Sequence, residues 1–215
     1  MKKTLLLLIF FAAPTLAYNP TTIDPSEPYE PVEVFNGEPS VAREYLGQLD
    51  DFPEMMELSS AEPFTLTVEI RQRDQGEPYE FALIAVRVNE DGTGVTEIAR
   101  LKQPIEEWRQ VSDSVMGMKF LVSEPLQVPV EAGTYRVEIS TPDNGGEYML
   151  VFGEMPTKAG YFAMLGNIFE TQQNFKLSWL HIFASSYVYY PVGIIIVLAG
   201  LYITWRRRKQ IAHVA

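Results

Sequence analysis

Two histidines are the whole imidazole inventory of this 215-residue chain. His181 lies just before a long apolar run, and His213 lies in a short basic tail. The polar body between residues 18 and 154 therefore has no histidine for a Ser-His-Asp arrangement and no H-E-x-x-H zinc helix. G-x-S-x-G, P-loop and G-x-G-x-x-G patterns are absent as well. Carboxylates are plentiful, with adjacent pairs at Asp50-Asp51, Glu90-Asp91 and Glu106-Glu107. Such pairs could run acid–base chemistry on a glycan, but neighbours in sequence more often supply solvated loop charge. The chain reads as non-enzymatic, with no cofactor. Hard oxygen ligands for calcium are offered by Asn89, Glu90 and Asp91, and by Asp143 and Asn144. Neither group follows EF-hand spacing, and turns explain both. Trp108, in Glu106-Glu107-Trp108-Arg109, is a residue that could stack on a sugar or fill a core.

The elements that would position these residues are mostly strands. Phe64, Leu66, Val68 and Ile70 alternate with Thr65, Thr67, Glu69 and Arg71, the period of a strand buried on one face. Residues 81–88 (FALIAVRV) form the continuous apolar run of a central strand. Asp91-Gly92 suits the positive φ of a hairpin turn into residues 95–101. Residues 119–122, 126–130, 134–140 and 148–152 complete the series. Residues 40–49 fit a helix or a strand, and the run of strands from Phe64 onward favours the strand. The spacing predicts a mainly β fold: a jelly-roll-type β-sandwich of about eight strands over residues 40–154.

The flanks of that domain address it. Residues 1–17 (MKKTLLLLIFFAAPTLA) have a basic start, an apolar centre and small residues before a cleavage point, the form of a signal peptide. Residues 18–39 carry five prolines among acids and read as an extended, partly disordered leader. Over 155–186, Tyr161, Met164, Leu165, Ile168, Gln172, Phe175, Trp179 and Ile182 recur at helical spacing. This predicts an amphipathic juxtamembrane helix, with interfacial placement favoured over packing on the sandwich. Residues 187–205 (YVYYPVGIIIVLAGLYITW) hold no charge and reach roughly 28 Å as a helix, enough to cross a bilayer. Trp179, Tyr187, Tyr189 and Tyr190 at one end, and Tyr202 and Trp205 at the other, suit the headgroup layers. Pro191 lies in the first turn, where its missing N–H breaks little. Arg206, Arg207, Arg208 and Lys209 open the tail at 206–215; each would cost roughly 2.5–3.5 kcal/mol at the bilayer centre, so the tail stays cytoplasmic.

Of 17 basic residues, six lie in the signal and tail, where no acid occurs; the exported part keeps 11 against 28 acids, a net charge of −17. Such a domain repels nucleic acid and anionic headgroups. Zero cysteines exclude a disulfide scaffold and thiolate metal sites, so the core must hold by packing.

The segment Gly133-Thr134-Tyr135-Arg136-Val137-Glu138-Ile139, followed by Asp143-Asn144-Gly145-Gly146-Glu147-Tyr148 and Met149-Leu150-Val151-Phe152-Gly153, resembles the closing hairpin of prokaryotic pre-peptidase-C-terminal-type sandwiches. Tyr45-Leu46-Gly47-Gln48-Leu49 and the strand from Phe64 are similar to that fold's first strands. The layout also resembles GOLD-domain p24 proteins, without their heptad coiled coil or cysteine pair. Both resemblances imply a non-catalytic module that binds or escorts something else. The expected setting is a cell membrane, the bacterial inner membrane, crossed once with the sandwich extracytoplasmic and the C-terminus cytoplasmic. The expected partners are membrane lipid and another envelope or membrane protein, with no nucleic acid. A carbohydrate-binding or carboxylate-based glycan-active domain is the alternative, and a p24-like escort of exported proteins is another.

Overall fold

The computed structural model describes residues 19–23, 27–36, 39–89, 93–155 and 159–212, with the side chains at 35–36 and 208–212 outside that description. The signal segment 1–17, Glu90, Asp91 and His213 also lie outside the described residues. Twelve strands come first: β1 (Pro20–Thr22), β2 (Pro31–Asn36), β3 (Arg43–Asp50), β4 (Glu54–Ser60), β5 (Phe64–Arg73), β6 (Ala82–Val88), β7 (Val95–Lys102), β8 (Arg109–Asp113), β9 (Met118–Val122), β10 (Leu126–Val130), β11 (Gly133–Ser140) and β12 (Gly145–Phe152). Helix α1 (Tyr161–Asn174), a 3-10 segment (Trp179–Ala184) and helix α2 (Ser186–Ala212) complete the chain.

The pairing is that of a jelly roll. The chain doubles back as one long antiparallel ribbon whose rungs are β3 with β12, β4 with β11, β5 with β10 and β6 with β7. Rolled up, it gives the orders β3-β12-β5-β10 and β4-β11-β6-β7, two Greek keys in two sheets. The β8–β9 hairpin is an insertion. It pairs along the same edge of β5 as β10 but further on, Arg71 facing Val122 and Val68 facing Leu126. Ser123 fills the gap between them: its amide reaches the Ile70 carbonyl and its hydroxyl accepts from the Ile70 amide, both at 3.0 Å.

Inward residues repeat every second position. Tyr45, Met56, Leu58, Leu66, Val68, Ile70, Leu83, Val137, Ile139, Tyr148 and Leu150 form one core between the sheets. Zero cysteines leave this packing as the adhesive. A second apolar layer lies on the outer face of the larger sheet, where Leu46, Phe120, Val122, Met149 and Val151 meet Met164 and Ile168 of α1 with Phe175 and Leu177 beyond it. Strand β12 is thus covered on both faces, which is why Tyr148-Met149-Leu150-Val151-Phe152 reads as an unbroken apolar run.

The structure extends and corrects the sequence expectations. Seven strands of the roll, and β9, fall where the spacing predicts them, while β4, β8 and the two leader strands are additional. The leader is not loose where it is described. Strand β1 adds parallel to β3 and β2 parallel to β4, burying Ile23 and Val34. Pro20 and Pro31 each open an edge strand, a place where a missing N–H costs no ladder bond. Nor is 155–186 one helix. It stops at Phe175, because Lys176 turns left-handed (φ 54°). The amides of Lys176 and Leu177 then reach back to Gln173 and Gln172 at 2.9 Å each. This is a Schellman ending without its usual glycine. The apolar face of α1 is spent on the sheet, which corrects the interfacial placement for that helix.

Strand β4 hides one polar contact inside the roll. Glu54 is buried, and the hydroxyl of fully buried Tyr148 donates to its carboxylate. Burial, and then the Glu54 charge, hold the Tyr148 phenol well above its ordinary pKa, so it stays a donor. Gly47 makes the room, since a Cβ there would lie 2.3 Å from the Tyr148 ring. Tyr148→Phe should cost about 1.5–3 kcal/mol, the worth of a hydrogen bond to a charged group. Gly47→Ala displaces the same ring, so thermal unfolding of the double variant should show less than the sum of the two single losses.

Candidate functional site

A network of hydrogen bonds that the sequence did not mark joins the sandwich to the start of α2. Ser185 caps that helix: its carbonyl accepts from the amides of Val188 (3.0 Å) and Tyr189 (2.9 Å), and its hydroxyl accepts from the Tyr187 amide at 3.2 Å. The same hydroxyl donates to the carbonyl of Val115, in the turn between β8 and β9. The Ser186 amide, which no helical turn could satisfy, donates to the Ser114 carbonyl at 2.8 Å. Gly117 in that turn has φ 68°, and a Cβ on it would stand 2.7 Å from the Ala184 carbonyl carbon, so the two backbones touch. His181 Nε2 pairs with the Gly117 carbonyl at 2.8 Å, and the buried Gln172 amide donates to the Met116 carbonyl at 2.7 Å.

Pro191 takes a role the sequence hides. Because α2 begins at Ser186, this proline is sixth in the helix and not in its first turn. It has no N–H to give the Tyr187 carbonyl four residues back. The Tyr161 hydroxyl of α1 donates to that carbonyl instead at 2.8 Å, and the two tyrosine rings stack with centroids 5.7 Å apart.

Among the described residues one helix, Ser186–Arg207, is long and apolar enough to cross a membrane, and none of it is buried. Tyr189, Tyr190, Tyr202 and Trp205 are exposed along it, while Tyr187 turns back against α1. Trp179 is 63% exposed in the 3-10 segment. Arg206 and Arg207 end the span, and the backbone helix continues through Arg208 and Lys209.

The calcium candidates are not brought together. Asn89 closes β6, where its Oδ1 accepts from Thr96 at 3.1 Å. Asp143 lies between β11 and β12, its Oδ1 accepting from Thr141 at 3.1 Å, and Asn144 is a left-handed turn residue with φ 46°. Since Ser140 faces Ala82 and Tyr135 faces Arg87, the two loops stand at opposite ends of the sheet. Among the described residues no group of three or more His, Asp or Glu is placed to hold a metal. Trp108 is buried, its indole N–H donating to the Gln103 carbonyl at 3.2 Å, so it is core and not a stacking platform. A cleft of about 650 Å³ opens at the other end of β5 from the α2 junction, lined by Ser60, Glu62, Phe64, Thr65 and Glu154 among others. Within it Glu154 already accepts from Gln127 (2.6 Å) and Thr67 (3.4 Å).

Glu44 carries no signal in the sequence that marks it as special. It sits on the outer face of β3, where burial raises its carboxyl from 4.5 to about 7. The Asn19 amide at 2.8 Å and then Arg71 oppose that rise, and Asp113 adds to it.

No family model and no curated protein matches the chain. Several solved structures are remotely similar to it, and two of them illustrate the likeness. One is a pre-peptidase C-terminal domain of collagenase from Bacillus anthracis, at 10% identity over 62% of this chain and 93% of that chain, with a TM-score of 0.33. The other is a family 35 carbohydrate binding module from an environmental isolate, at 21% identity over 51% of this chain and 72% of that one, with a TM-score of 0.29. Both are β-sandwiches, the first of the type that the closing hairpin resembles. At these scores the likeness is one of fold alone.

Two measurements probe the site. The unfolded chain releases the Glu44 proton near 4.5 and the folded chain near 7, so the stability Glu44 contributes is full below pH 4.5, falls as pH rises to 7 and is flat above. Glu44→Gln should therefore match the parent at pH 4 and exceed it by about 3 kcal/mol at pH 8 in thermal unfolding. Parallel curves would contradict this. Tyr161→Phe should cost about 1–2 kcal/mol, and less in a Pro191→Ala background, where the new amide can serve the Tyr187 carbonyl.

Proposed function

We propose that this protein is a single-pass membrane protein that holds an extracytoplasmic β-sandwich at the bilayer surface as a non-catalytic binding module of the cell envelope. The observation that carries this reading is the direct seating of the sandwich on the first turn of α2. A domain joined without a linker acts only within its own height of the membrane. Strand β5, at ten residues, is roughly 33 Å long and gives the scale of that reach. The partner is then another envelope or membrane protein within that reach.

Orientation comes from charge. Arg206, Arg207, Arg208 and Lys209 hold the C-terminus in the cytoplasm, because basic residues beside a span resist transfer. The signal-like segment 1–17 would export the other end. The −17 charge of the exported part disfavours nucleic acid and anionic lipid as ligands.

The cysteine-free sequence makes the test clean. Exposed Glu106 in the sandwich and Gln210 in the tail are changed singly to Cys in the full-length protein. An impermeant maleimide should label Glu106→Cys on intact spheroplasts and Gln210→Cys only after lysis. An impermeant bifunctional crosslinker on Glu106→Cys should then give one defined adduct with a membrane protein. The reverse labelling pattern would overturn the orientation, and turnover of glycan by the purified protein would overturn the non-catalytic reading.

A further inference from the structure

The bare part of the surface lies around the start of α2. From Leu177 to Trp205 the chain has no Asp, Glu, Lys or Arg, so the uncharged stretch begins ten residues before the spanning helix would require. Within those ten, Trp179 is 63%, Leu180 53% and Phe183 55% exposed. Phe162 of α1, 83% exposed, lies beside the start of α2 through Tyr161, whose ring packs on Phe162 at 5.5 Å and on Tyr187 of α2 at 5.7 Å. Large side chains left in water at this density need an occupant.

We propose that Phe162, Trp179, Leu180 and Phe183 form a foot seated in the headgroup layer, so that the occupant of this surface is the bilayer itself. The inference rests on α2 being membrane-embedded, as in the function proposed above. What selects lipid over a protein partner is continuity. The 3-10 segment ends at Ala184, two residues before α2 begins, and Phe162 reaches Tyr187 of α2 through the Tyr161 ring, while the first turn of α2 is bonded to Ser114 and Val115. Backbone polarity is met before contact, since the amides of His181 and Ser185 donate to Ser178 and Ile182 within the 3-10 segment. Trp179 then takes the place aromatic belts give to tryptophan. The consequence is mechanical: α1 and the larger sheet are held to the membrane at two places, the span and the foot, and the sandwich cannot swing about α2.

The test is fluorescence quenching of the full-length protein in phosphatidylcholine vesicles containing a lipid with a nitroxide near its headgroup. Trp108 is buried in the sandwich and gives a constant background. Trp205→Phe leaves Trp179 as the responsive residue, and Trp179→Phe leaves Trp205. Quenching of Trp179 by about twofold, alongside quenching of Trp205, supports the foot. Quenching of Trp205 with Trp179 open to aqueous iodide overturns the foot and leaves the membrane span standing. Trp179 shielded from both nitroxide and iodide also overturns it, in favour of a second copy of this chain. Quenching of neither overturns the span and the foot together.

Discussion

The Tyr187 carbonyl is the point on which the arrangement turns. In an uninterrupted helix it would accept from the residue at position 191, but that residue is proline. A carbonyl left without a donor and out of water costs free energy, so a partner from outside the helix is favoured. The Tyr161 hydroxyl is that partner, from a helix already packed on the sandwich. One missing N–H in α2 thereby ties the span-length helix to α1, and the two tyrosine rings stack beside the bond.

That tie is useful only because α1 is itself immobile. Met164 and Ile168 are buried against Leu46, Met149 and Val151 on the outer face of the larger sheet. The inserted β8–β9 hairpin extends this face and carries the turn that receives Ser185 and Ser186. Without the insertion the eight-stranded roll would still pair as it does, but α2 would lose its bonds to Ser114 and Val115 and keep only the Tyr161 contact. The insertion is the part of the fold that belongs to the anchor.

The strand ribbon was legible because most strands bury one face and alternate. Strand β4 was not, because Glu54 occupies an inward position and breaks the apolar alternation of Met56 and Leu58; there it accepts from the Tyr148 hydroxyl across the core. The leader strands were masked by prolines, which at Pro20 and Pro31 begin edge strands and do not prevent them. The end of α1 was hidden because its left-handed residue is Lys176, not glycine. The span was plain from length and charge. Its joint to the sandwich was not, since no local pattern says that a tyrosine hydroxyl twenty-six residues away will replace a proline amide. Trp108, which the sequence left open between a sugar platform and the core, is core: its N–H finds Gln103 and its ring is buried.

A jointless connection between sandwich and span makes a geometric demand. Nitroxides placed at Glu106→Cys and Val197→Cys, in phosphatidylcholine nanodiscs, report the distance between the two bodies by pulsed electron resonance. A single narrow distance distribution is the expected result. A broad one, with the sandwich intact by circular dichroism, would mean that the two swing independently and that the contacts around Tyr187 do not hold them.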